Sequence, residues 1–233
     1  MIGIIGAMDE ELERFKEDMR IKEKLNIADF EYITGEIMDT EVVMVKCGIG
    51  KVNAAICTQI LILKFDVKAI INTGVAGALK DELDIGDIVI SDEVLYHDFD
   101  VTAFGYKRGV IPRMETSVFK ADRKLVNLAL KSGKRFVKSN NIVVGRVLSG
   151  DKFINNKNEL RYLFEEFGGY AVEMEGAAIG HCAHLNKIPF VIIRSISDRA
   201  DVSAKIDYRQ FVKRAAENSS DIVKGMLAEM SQR

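Results

Sequence analysis

Tryptophan is absent from this 233-residue chain, proline occurs twice, and cysteine and histidine occur three times each. With so little proline and an ordinary 18 glycines, no segment reads as a Pro-rich linker, a collagen repeat or a low-complexity tail. Cys47, Cys57 and Cys182 are odd in number and include no C-x-x-C pair, which excludes a disulfide framework and fits a reducing, cytoplasmic setting. Neither charge is in excess: 33 basic against 35 acidic side chains give a net charge of -2. The chain therefore carries no overall field to attract nucleic acid or an anionic membrane, and neither partner is expected. No apolar run approaches the ~20 residues that span a bilayer, and the N-terminal apolar stretch runs straight into Asp9-Glu10-Glu11, without the basic region of a signal peptide. His181 and His184 flank Cys182 without an H-E-x-x-H pattern or a third ligand at a recognised spacing. Packing or surface roles are expected for both, with no metal and no cofactor.

What is present is a chain 48% apolar and 29% charged, long enough for one sizeable domain, assigned here to residues 1–233. Short apolar runs alternate with amphipathic segments, the pattern of strands feeding helices. Strands are expected at residues 2–5, 32–38, 41–46, 69–72, 88–96, 141–148, 171–174 and 190–195. Val52, Ala55, Ile56, Ile60 and Leu63 recur at helical spacing, as do Phe211, Val212, Ala215, Ile222, Val223 and Met226. Further helices are expected to begin near Asp9, Asp122, Asn156 and Glu175. Residues 97–118 read as a long irregular excursion, which in a compact domain is more often functional than idle. The fold class is therefore α/β, a mixed and largely parallel central sheet flanked by helices. Ligands of such sheets sit beyond the carboxyl ends of strands, which directs attention to residues 7–11, 47–51, 73–77, 149–153, 173–176 and 197–201.

The glycine-bearing turns fail as nucleotide motifs. Gly48-Ile49-Gly50-Lys51-Val52-Asn53 has Asn53 where a dinucleotide fingerprint needs its third glycine, and Gly50-Lys51 lacks the Ser or Thr of a P-loop. Gly74 and Gly77 permit close approach of a small ligand, although plain tight turns are the simpler explanation. Ser149-Gly150-Asp151 offers a serine without the G-x-S-x-G elbow of a hydrolase. Three carboxylates remain at strand exits: Glu11, Glu175 and Asp198. Singly each is explained as a helix cap or first-turn acid. Gathered at one sheet edge, they would push their proton affinities apart and supply both a proton donor and a base.

Several blocks together resemble the bacterial 5'-methylthioadenosine/S-adenosylhomocysteine nucleosidases. They are Gly3-Ile4-Ile5-Gly6-Ala7-Met8-Asp9-Glu10-Glu11, Gly48-Ile49-Gly50-Lys51-Val52-Asn53-Ala54-Ala55, Asn72-Thr73-Gly74, Gly86-Asp87-Ile88-Val89-Ile90-Ser91-Asp92, Asp100-Val101-Thr102-Ala103-Phe104-Gly105-Tyr106, Ser149-Gly150-Asp151, Val172-Glu173-Met174-Glu175 and Arg194-Ser195-Ile196-Ser197-Asp198. The resemblance implies a nucleoside phosphorylase-like fold, a homodimer, and hydrolysis of the bond joining adenine to a 5'-thio-substituted ribose. By the same resemblance Asp198 is the general acid at adenine N7, Glu11 positions and deprotonates the attacking water, Glu175 accepts ribose hydroxyls, and Arg194 helps hold the water. Phe153 would stack on adenine and Ile154 read its edge, with Met174 against the ribose and Val75, Gly77, Glu173 and Ser197 completing the wall. Met8, Ile49 and Tyr208 match the 5'-alkylthio end, which Phe104 and Pro112 would close from the partner subunit.

The residue types suit that chemistry. Adenine leaves poorly as an anion, so a placed proton donor contributes ~10²- to 10⁴-fold. An anionic carboxylate near the sugar stabilises developing oxocarbenium charge. The run Asp9-Glu10-Glu11 is hostile to a phosphate dianion, which leans the reading toward water as nucleophile. Val75 and Ala78 stand where many relatives have serine and glycine, and Tyr208 where others have phenylalanine, differences that bear on rate and substrate preference. A phosphorylase, a futalosine-type nucleosidase and a catalytically silent nucleoside-binding protein are the competing expectations.

Overall fold

The apolar runs form strands because both their faces are covered. In the computed structural model, which describes residues 1–137, 140–199 and 204–232, neighbouring residues of the central strands point into different cores. Ile5, Val43, Val45, Ile70 and Ile192 face one, whereas Ile4, Val42, Met44, Ile71 and Ile193 face the other. In chain order the elements are β1 (Ile2–Gly6), α1 (Asp9–Asp18), β2 (Arg20–Ile27), β3 (Phe30–Ile37), β4 (Thr40–Lys46), α2 (Lys51–Phe65), β5 (Ala69–Ala78) and β6 (Ile88–Tyr96). There follow β7 (Phe119–Lys120), α3 (Arg123–Phe136), β8 (Ile142–Ser149), α4 (Lys157–Phe167), β9 (Ala171–Glu173), α5 (Gly176–Leu185), β10 (Phe190–Asp198) and α6 (Ala204–Met230). Helices α2 and α5 pack on the first core and α1, α3 and α6 on the second. Helix α4 shields a third, smaller cluster around Leu148, Leu163 and Phe167.

The sheet is mixed. Strand β1 lies parallel between β4 and β5, and β5 is parallel to β10. β6, β8 and β9 form a second parallel run, tied antiparallel to β10 at one side and to β5 at the other. Pairing therefore closes into a ring, β5-β10-β6-β8-β9, with β1, β4, β3 and β2 extending from it. Parallel and antiparallel ladders are equal in number among the described residues, five each, partly because the β2-β3-β4 meander adds two antiparallel ones.

Strand β2 was not anticipated. Its sequence, Arg-Ile-Lys-Glu-Lys-Leu-Asn-Ile, shows no buried face and is mostly exposed. It is an edge strand held by register and by pairs such as Lys22 to Glu36 at 2.7 Å, and its charges discourage further strand addition. Two-residue turns with positive φ, Ala28-Asp29 and Met38-Asp39, join β2 to β3 and β3 to β4. The expected helix starts correspond to local capping. Asp122 accepts from the N–H groups of Lys124 and Leu125, and Asn156 from those of Asn158 and Glu159.

Two strands run further than periodicity indicated, and both extensions carry the site. β5 continues from Asn72 through Thr73, Gly74, Val75, Ala76 and Gly77, so the two glycines lie in a buried strand and not in a turn. β10 continues to Asp198 with a register shift after Ile196: Ile196 faces Ala76 while Asp198 faces Gly77. That bulge gives Ser197 and Asp198 a common outlook, which regular alternation forbids. The excursion at 97–118 is irregular apart from one 3₁₀ turn at Thr102–Phe104, braced by Asp100 through the Thr102 hydroxyl and Arg108.

Candidate active site

The three acids arrive from separate elements. Glu11 lies in the first turn of α1, just past β1. Glu175 is the N-cap of α5, just past β9, and Asp198 ends β10. All three line one cavity of about 480 Å³ together with Met8, Ile49, Val75, Gly77, Phe153, Glu173, Met174, Ser197 and Tyr208. Each acid is buried. Ile154 lines a small adjoining recess of about 30 Å³, beside Phe153, Met174 and Asp198. Ala7 and Ala76, which fall in the expected strand-exit ranges, and Val172 also border the main cavity, as do Asn155 and Arg209, which were not singled out from sequence. Of residues 197–201, positions 200 and 201 lie outside the described residues.

Glu11 is held from two directions. Its Oε2 accepts from the N–H groups of Ala7 at 2.6 Å and Met8 at 3.1 Å, which a helix-capping carboxylate would also do. Its Oε1 accepts from Val75 N at 3.0 Å, across the sheet, which capping does not require. Burial raises its proton affinity, while the charge of Arg194 and the three backbone N–H groups pull it back.

Arg194 lies behind the cavity and is almost wholly buried. Its Nη2 donates to Asn72 Oδ1 at 2.7 Å and pairs with Glu173 Oε2, and Glu175 Oε2 is 3.8 Å away. Its Nε and Nη1 have no hydrogen-bond partner among the described residues. Glu173 reaches the cavity wall, but its carboxylate is committed elsewhere. It accepts from Ser149 Oγ, from the N–H groups of Glu175 at 3.0 Å and Gly176 at 2.8 Å, and from Arg194. It anchors the N-terminus of α5, and with it the backbone that presents Glu175.

Glu175 Oε1 accepts from Gly50 N at 2.8 Å. Burial and the neighbouring Glu173 charge push its pKa up to about 8, against the pull of Arg194 and the Gly50 bond. Asp198 Oδ2 accepts from Ser197 Oγ at 2.9 Å. Part of the wall is apolar: the Tyr208 hydroxyl donates to Met8 Sδ at 2.9 Å, and its ring meets Phe153 edge to face at 5.9 Å.

A family model for the phosphorylase superfamily matches residues 1–228. A 5'-methylthioadenosine/S-adenosylhomocysteine nucleosidase of Staphylococcus haemolyticus is 43% identical over 230 residues, covering 97% of this chain and 99% of that protein. The chain belongs to this nucleosidase family. Among solved structures, the nucleosidase of Neisseria meningitidis in complex with methylthio-immucillin-A superposes with a TM-score of 0.93 at 38% identity, covering 98% of each chain. The futalosine hydrolase of Helicobacter pylori gives 0.92 at 31%, covering 98% of this chain and 97% of that one.

Within this nucleosidase fold the remaining expected residues fall outside the cavity. Phe104, 81% exposed, and the half-buried Pro112 do not line it within the chain. Val75 turns its side chain to Ala215, Ala216, Met8 and Tyr208, an apolar cluster that accepts valine in place of a hydroxyl. Ala78 is buried and does not border the cavity. His181 stacks on Phe119 at 4.4 Å and meets the Tyr96 hydroxyl at 3.2 Å, and His184 packs against the same ring. Among the described residues no three His, Cys, Asp or Glu side chains are grouped to hold a metal ion, and no helix is long and apolar enough to cross a membrane.

Proposed function

We propose that this chain hydrolyses the N-glycosidic bond of 5'-methylthioadenosine and S-adenosylhomocysteine, and of 5'-deoxyadenosine, releasing adenine and the 5'-substituted ribose. The convergence of Glu11, Glu175 and Asp198 in one cavity with Met8, Ile49, Phe153 and Tyr208 carries the reading. Asp198 delivers a proton to N7 as the C1'–N9 electron pair passes to the base, so neutral adenine leaves. Water, held by Glu11 and the unpartnered Nη1 of Arg194, bonds to C1' and gives its proton to Glu11. Glu175 receives the ribose hydroxyls, and two O–H donors favour its anionic form against the burial that raises its pKa. That anion then opposes the positive charge growing on the sugar. Phe153 stacks on adenine, Ile154 reads its edge, and Met174 packs on the ribose. Glu173 acts through Arg194 and the α5 N-terminus. No cofactor is required.

The apolar pair of Met8 and Tyr208, with Ile49 at the rim, suits a thioether better than the polar tail of a larger nucleoside. Similarity to a futalosine hydrolase keeps that substrate class as the second reading. Purified protein incubated with each nucleoside in phosphate-free buffer should release free adenine and free sugar. A strict need for phosphate with a sugar 1-phosphate product would make it a phosphorylase, futalosine preferred over both thioethers would favour the second reading, and binding without turnover would make it a silent binder.

A homodimer completes the proposal. Val52, Ile56 and Leu63 on α2, with Ile49 just before it, are exposed apolar side chains, and Phe104 is exposed as well. Phe104 and Pro112 would close the partner's 5' end. Phe104→Ser should raise KM for the thioether substrates, and sedimentation should report a two-chain mass for the unaltered protein. A cytoplasmic location and a part in methionine salvage belong to the same proposal.

A further inference from the structure

The turn between β4 and α2 fails every nucleotide motif, yet it reaches the site through its backbone. Gly50 has φ +98° and is the N-cap of α2, with no side chain to cap the helix. Asp151, a hundred residues on, takes that role: its Oδ1 accepts from Lys51 N at 2.8 Å. A Cβ on Gly50 would stand 3.2 Å from the same oxygen, so turn and carboxylate are in direct contact. Asp151 is itself held. Its N–H donates to Asp98 Oδ2 at 2.9 Å, and Lys51 Nζ bonds that oxygen at 2.5 Å while lying 3.7 Å from Asp151 Oδ2. The two acids meet because they follow neighbouring parallel strands, β6 and β8, in which Tyr96 faces Ser149. One carboxylate is enough to cap a helix. Here two acids and a lysine grip a single turn whose next N–H points at Glu175.

We infer that Asp151, held by Lys51 and Asp98, is a positioning residue that fixes the Gly50 N–H on Glu175 and thereby sets the orientation and charge of that carboxylate. The inference rests on the role proposed for Glu175. Around Glu175, Glu173 from β9 and Glu11 from α1 disfavour its charge, and the thiol of Cys47, past β4, is held neutral by burial. Arg194 from β10 and the Gly50 N–H favour it. The arginine is locked in the sheet, whereas the Gly50 bond is delivered by a turn and is lost when the turn moves. Without it Glu175 holds its proton more tightly, and less of the anion is present near neutral pH.

Asp151→Ala and Asp151→Asn in the full-length chain test this. The carboxyl carbon of Glu175, identified by its loss in Glu175→Gln, is titrated by carbon-13 NMR, and kcat and KM are measured against pH with methylthioadenosine. In Asp151→Ala the Glu175 titration should move to higher pH, the pH profile of kcat should move with it, and kcat should fall on the order of 10- to 100-fold, the cost of a misplaced group. Asp151→Asn keeps the Oδ1 acceptor and should restore both. An unmoved Glu175 titration in the alanine variant, or an asparagine variant as impaired as alanine, overturns the inference. Should Asp151→Ala not fold, Asp98→Ala, which removes the acceptor for the Asp151 N–H and for Lys51 Nζ, carries the same titration, with an upward shift expected and none overturning. If the unaltered protein releases no adenine, the functional reading falls, and the Glu175 titration still decides the clamp.

Discussion

Gly74 leaves room on one side of its backbone for both the Glu11 carboxylate and the Arg194 guanidinium: a Cβ placed on it would collide with Glu11 Oε1 and Arg194 Nη1. The glycine lies in the middle of β5 and is not among the residues of positive φ, so it is required for space and not for backbone freedom. Gly74→Ala should therefore displace one or both side chains. Overpacking of this kind costs about 1–3 kcal/mol of stability, while displacement of the water-holding groups should lower kcat on the order of 10²-fold. Steady-state kinetics beside a melting curve measures both. Wild-type turnover in the variant would mean that Glu11 and Arg194 are not held as a pair.

Asp198 and Ser197 share the cavity because of the bulge in β10, and the carboxylate can be neutralised without changing its shape. Asp198→Asn removes the transferable proton and keeps a side chain able to accept from Ser197. Turnover should fall ~10²- to 10⁴-fold, the range for a lost general acid, with binding of a non-hydrolysable nucleoside analogue largely retained in calorimetry. Unimpaired turnover would remove Asp198 from the acid role.

Much of this arrangement was legible in the sequence where the signal is local. Asp122 and Asn156 announce helix starts because a cap acts over three residues, and Glu11 and Glu175 stand out because acids directly after apolar runs are conspicuous. Strand β2 escaped because an edge strand with charges on both faces has no hydrophobic period. The extension of β5 escaped because Thr73, Gly74, Ala76 and Gly77 resemble a turn, and only pairing with β10 makes them strand. Arg194 was noticed through family resemblance alone, and Glu173 besides that only as one residue of a strand exit. Their pairing spans strands β9 and β10, and no spacing in the chain encodes it.

That pair carries its own prediction. Arg194 faces Glu11, Glu173 and Glu175, and those acids in turn hold it protonated. Removing one partner of a buried ion pair leaves an uncompensated charge and typically costs about 3–5 kcal/mol. Arg194→Met should destabilise the fold by that order, and adding Glu173→Gln should recover part of the loss. A double-mutant cycle from chemical denaturation measures the coupling, and strictly additive losses would show that Glu173 and Arg194 do not stabilise one another.

Glu175 trades stability for readiness to meet the substrate. An ordinary glutamate titrates at 4.5, and burial with the Glu173 charge raises Glu175 to about 8 in the folded chain. The folded state thus binds this proton more tightly than the unfolded state. Its contribution to stability is complete below 4.5 and is lost as pH rises through 8. In the absence of ligand, the melting temperature should fall across that window, and Glu175→Gln should flatten the fall because glutamine has no proton to lose. Above pH 8 the variant should be the more stable protein while being poor at turnover. A nucleoside analogue whose hydroxyls bind the anion should reverse the order, stabilising the unaltered protein more as pH rises, since ligand binding adds to stability only in the state it prefers. Melting curves against pH, with and without the analogue, read both effects, and parallel curves for the two proteins without ligand would refute a raised Glu175.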